Sequence, residues 1–307
     1  TLARWLFLAF LPSSLLLSVT VHLTADVASI PFLWVVPLGL YLLTYILAFS
    51  ARGSGSQRFW IRWLPLVVLV LVVVLVTEAT EPLLLIILLH LAGLFWIGML
   101  CHGELARSRP SVTHLTTFYL CIAVGGAFGG VVNALIAPAV FGSLAEYPIA
   151  LVLACLVPAL TPSNRPKSSR WKRDFDLLLP ALLVGFTATM AVAVPRMSVP
   201  AGPVSVLLIF GIPLIVCYTF SPRPVRFALG IAGLLLASHA YPGVHGKSDA
   251  RIRSFFGVHR ITNDGRYRML VHGNTEHGRQ SLDPARQAEP LAYYFRNGPI
   301  GEHLSTV

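Results

Sequence analysis

Arg251-Ile-Arg-Ser-Phe-Phe-Gly-Val-His-Arg-Ile261 is the seam of this chain. Before it, from residue 4 to residue 241, one apolar segment follows another. After it the text turns polar and basic, rich in Gly and His, and no further long apolar run occurs before Val307. A lipid-embedded part therefore hands over to a water-facing part, and the fold expected is an α-helical integral membrane protein with a small β-hairpin or meander tail. The division falls into a polytopic helical domain over 1–241 and a β region over 242–307.

Composition supports the first half of that reading. Only 12% of residues are charged and 55% are hydrophobic, with a mean hydropathy of +0.73. Soluble domains carry about 25% charged residues, so these few charges could not cover a soluble surface. The net charge of +10 is read as loop charge set by membrane topology rather than as a nucleic-acid footprint, and no nucleic-acid partner is expected. Cys101, Cys121, Cys155 and Cys217 lie in or at the ends of apolar segments. They lack the spacing of a zinc site or a disulfide framework and read as small core residues. Thr1 is not a start methionine, so a fragment or trimmed product is expected. Arg4 followed by a long apolar stretch fits a retained first helix better than a cleaved signal.

A spanning helix needs about 20 apolar residues. Nine segments qualify as candidates: 4–21, 30–50, 62–77, 82–101, 115–137, 147–161, 177–195, 204–220 and 225–241. The third is dominated by β-branched residues and would favour a strand in water, but in lipid only a helix or closed barrel satisfies the backbone. Between the segments, one set of loops carries thirteen basic residues: Arg4, Arg52, Arg58, Arg62, Arg107, Arg109, the five of the 165–173 run, Arg223 and Arg226. The opposite loops carry Arg196 alone, beside Asp26, Glu78, Glu81 and Glu146. The positive-inside rule then places the N-terminus in the cytoplasm. Nine passes put the tail outside a bacterial inner membrane, a conclusion that one helix more or fewer reverses.

Several motifs invite functional readings. Gly125, Gly126, Gly129 and Gly130 place small residues four apart, which lets a neighbouring helix approach backbone to backbone. A phosphate loop is the alternative, but no strand precedes the run and no Lys-Ser/Thr follows it. His22 and Asp26 sit four apart where the first segment leaves the membrane, either as a polar relay or as a turn that caps the next helix. Cys101-His102-Gly-Glu104, with His114 downstream, has metal-ligand residue types without a zinc spacing. A loop with Glu104 paired to Arg107 or Arg109 is the simpler reading, and no metal or cofactor is called for. His90 and Asn133 read as interhelical hydrogen-bonding residues.

In the tail, strands are expected over 255–261, 267–271 and 275–280, joined by the Asn263-Asp264-Gly265 and Gly273-Asn274 turns. His272, His277 and Glu276 suggest a metal or acid–base group. Strict alternation, however, puts the two histidines on opposite faces unless the turn intervenes. Three strands bury little core, so the tail needs a partner.

The quoted residues resemble a known family. Arg253-Ser-Phe-Phe-Gly-Val258, Leu270-Val-His-Gly-Asn-Thr-Glu-His-Gly-Arg-Gln280, Pro290-Leu-Ala-Tyr-Tyr294 and Gly298-Pro-Ile-Gly301 resemble the N-terminal strand region of spermidine synthases, the polyamine aminopropyltransferases. His22-Leu-Thr-Ala-Asp26, Trp34, Pro37, Tyr41-Leu-Leu-Thr44, Cys101-His-Gly-Glu-Leu-Ala106 and the stretch from His114-Leu-Thr-Thr-Phe-Tyr119 to Pro138 resemble the helical part of bacterial membrane-fused members. The resemblance implies an S-adenosyl-type aminopropyl donor and a polyamine acceptor. It also implies that Gln280 and Tyr293 or Tyr294 line a substrate site, while the nucleotide loop and catalytic aspartate lie beyond residue 301. No catalytic residue is therefore assigned within these 307. The function expected is a membrane scaffold or accessory subunit that meets other subunits through the tail and the glycine-rich helix face. The alternatives are an anchored aminopropyltransferase completed beyond Val307, and a polyamine or small-molecule transporter.

Overall fold

The computed structural model describes residues 1–28, 30, 32–50, 57–161, 170–197, 199, 202–241, 247–254, 257–273, 275–298 and 301–303. The expected positions Arg52, Arg165, Lys167, Phe255, Phe256, Asn274, Pro299 and Ile300 lie outside these described residues.

The helices are α1 (Leu2–His22), α2 (Val35–Phe49), α3 (Gln57–Thr77), α4 (Leu83–Arg107), α5 (Leu115–Val131), α6 (Ala137–Val140), α7 (Glu146–Ala154), α8 (Val157–Leu160), α9 (Arg170–Arg196), α10 (Pro203–Thr219) and α11 (Pro224–Ser238). Each of the nine apolar segments falls on helix. Among the described residues, five helical stretches are long and apolar enough to cross a membrane: Leu2–Val27, Gln57–Thr77, Leu83–Arg107, Val112–Val140 and Asp174–Arg196. Val35–Phe49, Glu146–Leu160, Val204–Thr219 and Pro224–Ser238 are apolar but shorter. The expectation of nine full-length spans is therefore reduced to five. The 30–50 window had counted the Phe32–Trp34 turn as helix, whereas the 147–161 and 204–220 windows were themselves shorter than a full span.

α1 is the hub, packed against α2, α4, α5 and α7, while α9, α10 and α11 form a second group that meets α3 and α7. The seam between α1 and α5 follows the helical repeat. Phe118, Cys121, Gly125 and Gly129 are the buried residues of α5. A Cβ on Gly125 would lie 2.5 Å from the Leu6 carbonyl oxygen, and one on Gly129 would lie 2.8 Å from that of Phe10. Only glycine permits that approach. Half of the expected motif is used this way: Gly126 and Gly130 flank the seam, where a Cβ on Gly126 would meet nothing within 4 Å and one on Gly130 would make only ordinary contact with Leu17 at 4.0 Å. The outward helix faces stay apolar, with Leu84, Leu207, Ile215 and Leu236 about two-thirds exposed or more. A helix that is apolar all round suits lipid or a protein core, not water.

The tail is a four-stranded antiparallel meander, β1 (Lys247–Ser254), β2 (Gly257–Asn263), β3 (Tyr267–His272) and β4 (Thr275–Ser281), in spatial order β1-β2-β3-β4. The three expected strands are corrected to four. The text of β1, Lys-Ser-Asp-Ala-Arg-Ile-Arg-Ser, has no apolar alternation and becomes a strand by pairing with β2, Arg251 opposite Arg260 and Arg253 opposite Val258. The β2–β3 turn matches its sequence signal. Gly265 sits at φ 90°, and Asp264 accepts from the backbone N–H of Arg266 and of Tyr267 at 2.8 and 2.7 Å.

Candidate functional site

The meander is seated on one end of the bundle, and that junction gathers a set of ionisable groups, several of them buried. Glu146 opens α7. Its carboxylate receives both arms of the Arg253 guanidinium from β1, Nη2 to Oε1 at 2.5 Å and Nη1 to Oε2 at 3.0 Å. Nη1 also donates to the Ser143 carbonyl at 2.6 Å. Both side chains are 5% exposed. Two-pronged pairing of this kind fixes orientation as well as charge. A second arginine, Arg260 of β2, reaches Glu78 at the end of α3 at 3.4 Å and donates to the Gly273 carbonyl at 3.0 Å. Gly273 is the contact point itself. Its φ is 57°, and a Cβ there would lie 2.0 Å from the Ala25 carbonyl oxygen, so conformation and space both demand glycine.

Beneath this seat α1 runs on through a π-helical turn, Leu23–Val27. His22 Nδ1 lies 3.0 Å from Asp26 Oδ2 across it. The pair does not cap the following helix, as one reading of the sequence had it, because the helix itself continues past Asp26. The His22 ring stands edge-on to His90 of α4, centroids 4.8 Å apart. His90 Nδ1 meets the Tyr147 hydroxyl at 2.7 Å. His90 is fully buried, and its Nε2 has no partner among the described residues. Tyr147 follows Glu146, so the histidine pair and the Arg253–Glu146 pair share one helix start. His90, Tyr147, Arg253 and Glu146 are enclosed and bind one another, while the side chains of His22 and Asp26 stay 16% and 32% exposed.

At the other end of the bundle lies a second polar group. Glu104 pairs with Arg4 of α1, correcting the expected pairing with Arg107 or Arg109. α4 continues as helix through Arg107, which places Glu104 on its buried face with Leu100, Cys101 and Leu105. His102 is buried as well, its Nδ1 3.0 Å from Thr44 Oγ1, between the rings of Tyr41 and Tyr45. The expected loop is thus a helix end, and Cys101, His102 and Glu104 face different partners. Midway, Asn133 donates to Ser14 Oγ at 2.7 Å, an interhelical bond of the kind its position suggested. Among the described residues no three His, Cys, Asp or Glu converge as a metal site would require.

The sheet carries a cleft of about 540 Å³, lined by Tyr267, Glu276, Arg279, Leu291, Ala292, Tyr293 and Phe295. Of the residues the resemblance pointed to, Tyr293 lines it. Gln280 and Tyr294 do not. Gln280 neighbours Arg279 on β4, so alternation sends it to the opposite face. Arg279 holds Glu276 through two bonds of 2.8 and 2.7 Å and lies 5.3 Å over the Tyr267 ring. The hydrogen bonds that Arg279 donates to the Glu276 carboxylate raise its pKa. His259 and His272 are cross-strand partners with rings stacked at 4.3 Å, and His277 joins them at 5.8 Å. Strict alternation had separated His272 from His277. A bulge reunites them: Leu270 pairs with Gly278 and Val271 with Glu276, leaving His277 as the extra residue.

No family model, curated protein or solved structure matches this chain. The function has to be read from the junction's own chemistry.

Proposed function

We propose that this chain is a membrane platform. Its helices anchor a β-meander at one membrane surface, and the meander's outer face receives a further protein domain or subunit. The observation that carries the reading is the buried, two-pronged Arg253–Glu146 pair, which joins sheet to bundle across 107 residues of sequence. The sequence resemblance to the aminopropyltransferase N-terminal region enters this proposal as a docking role for the meander.

Nine passes are part of the proposal, supported by the way contacts alternate along the chain. Ala25, Glu78 and Glu146 meet the sheet at one end. Arg4 with Glu104, Gln57 with the Leu100 carbonyl, and Asp176 with Arg223 and Arg226 meet at the other. Helices of 15–17 residues fall short of the roughly 30 Å hydrocarbon core by several ångströms, a mismatch that local thinning and snorkelling absorb. Arg4, Arg58, Arg107 and Arg109 lie at the Arg4 end, which is assigned in this proposal to the cytoplasm of an inner membrane. In this proposal the sheet lies on the far side, because it touches Ala25 in the turn that continues α1 at the end opposite Arg4.

Transport is disfavoured. A cation path needs an acid available inside the bundle, yet Glu104 and Glu146, the buried carboxylates, are each held by an arginine. Between the two polar groups, Leu8, Leu11, Leu15, Leu94 and Ile97 are 0–1% exposed. A catalytic role for the sheet cleft is weakened because Glu276, its acid, is occupied by Arg279. Hydrogen exchange on the membrane-reconstituted chain tests the platform. Arg253→Ala is expected to expose the amides of β1 and β2 while α1 and α4 stay protected. Unchanged protection of the sheet would refute the seat. Turnover of decarboxylated S-adenosylmethionine by these 307 residues would overturn the non-catalytic assignment.

A further inference from the structure

At the Arg4 end of the bundle, α2 ends, α3 begins and α4 ends around a cleft of about 230 Å³. Its floor is apolar, with Phe49 and Met99, and Trp60 stands at its side. Its rim carries Arg107 and Arg109, both exposed. Neither guanidinium forms a salt bridge among the described residues. Among the described residues no acidic side chain lines the cleft, and the nearest buried carboxylate, Glu104, is paired with Arg4, with the charge of Arg107 acting on it from farther off.

We propose that this cleft binds the phosphate of an anionic lipid, with the headgroup on Arg107 and Arg109 and the acyl chain along Phe49 and Met99. Guanidinium groups match phosphate oxygens in pairs. Basic pockets between helices at the membrane surface suit such headgroups, and tryptophan favours that depth. The carbonyls at the end of α4 repel an anion with roughly half a charge; two guanidinium groups outweigh them. The wall is preset. Gln57 is buried and donates to the Leu100 carbonyl at 2.8 Å, and Gly103 lies flat against it, where a Cβ would come within 2.8 Å of Gln57 Oε1.

The proposal rests on the membrane reading of α2–α4, and one experiment separates the two. Native mass spectrometry of the detergent-purified chain is run with added phosphatidylglycerol, with phosphatidylcholine at equal concentration, or with inorganic phosphate alone. The expected result is retention of phosphatidylglycerol over phosphatidylcholine. The double variant Arg107→Ala/Arg109→Ala should weaken it by roughly 25- to 30-fold, about fivefold for each guanidinium, and Arg107→Lys/Arg109→Lys should keep only part of it, the charge without the two-pronged geometry. Equal retention of the two lipids, or equal retention by wild type and the alanine variant, overturns the site. Inorganic phosphate binding as tightly as the lipid overturns the lipid assignment in favour of a free anion. A chain that stays soluble without detergent overturns the membrane reading beneath it.

Discussion

Two arginine–glutamate pairs sit at opposite ends of the bundle, and they differ in what they join. Arg4–Glu104 ties α1 to α4, helix to helix. Arg253–Glu146 ties the sheet to α7. From Arg4 to His22, α1 rises about 27 Å at 1.5 Å per residue, close to the roughly 30 Å of a hydrocarbon core. Both pairs thus fall where apolar depth gives way to a polar boundary. They also differ in enclosure: Arg4 is 24% exposed and Arg253 is 5% exposed. An arginine at a helix start can turn its head to water; one trapped between sheet and bundle cannot. The same residue types therefore brace a bundle at one end and hold a domain at the other.

That contrast can be broken directly. Glu146→Ala leaves Arg253 charged, buried and unpaired, and is expected to cost about 3–5 kcal/mol. Glu104→Ala lets Arg4 reach solvent and is expected to cost about 1–3 kcal/mol. Denaturant titration in micelles with probes on sheet and bundle compares them. Equal losses from the two variants would erase the distinction drawn here.

Next in size come the glycines. Gly273→Ala combines a left-handed backbone, about 1–2 kcal/mol, with a clash on Ala25, and should unseat the sheet. Gly265→Ala bears the backbone cost alone, since nothing lies near its Cβ. Inside the bundle, Gly125→Ala should weaken the α1–α5 seam while Gly126→Ala leaves it intact; thermal stability of the four variants gives the ranking. Tyr147→Phe is a probe of comparable size. It removes the hydroxyl from His90 and should cost about 1–3 kcal/mol, read by loss of exchange protection at the start of α7.

The smallest effect expected is a pH dependence of the β2–β3 hairpin. The backbone N–H groups of Tyr267 and Arg266 hold the Asp264 carboxyl below its ordinary range. A depressed carboxylate adds stability above its unfolded pKa, about 3.9, and loses it as pH falls through the lower folded value. Exchange at the hairpin turn should therefore rise only in acid, below about pH 4. Asp264→Asn should flatten that rise. A wild-type rise near neutral pH would contradict the assignment.

The sequence exposed what is local. Apolar runs found every long helix, because burial in lipid needs no partner to be recognised, and Asp264-Gly265 found its turn. The glycine run pointed to α5, although only the three-dimensional seam separates Gly125 and Gly129 from Gly126 and Gly130. What stayed hidden depends on distant partners. β1 is a strand through β2 and not through its own pattern. Glu104 had Arg107 and Arg109 within five residues, yet it takes Arg4, because helical continuity turns it inward. His277 changes face through one bulged residue. The Arg253–Glu146 pair had no signal at all in either of its segments.

The central claim is that the sheet and the N-terminal end of α1 occupy opposite membrane surfaces. The native cysteines are all buried, so a single introduced cysteine can report its side. Arg266→Cys, on the β2–β3 turn, and Arg58→Cys, at the start of α3, are treated in intact cells of an expression host with a membrane-impermeant maleimide given access to the outer surface of the inner membrane. The account predicts labelling of the turn cysteine at once and of the α3 cysteine only after permeabilisation. Labelling of both from the same side would contradict it.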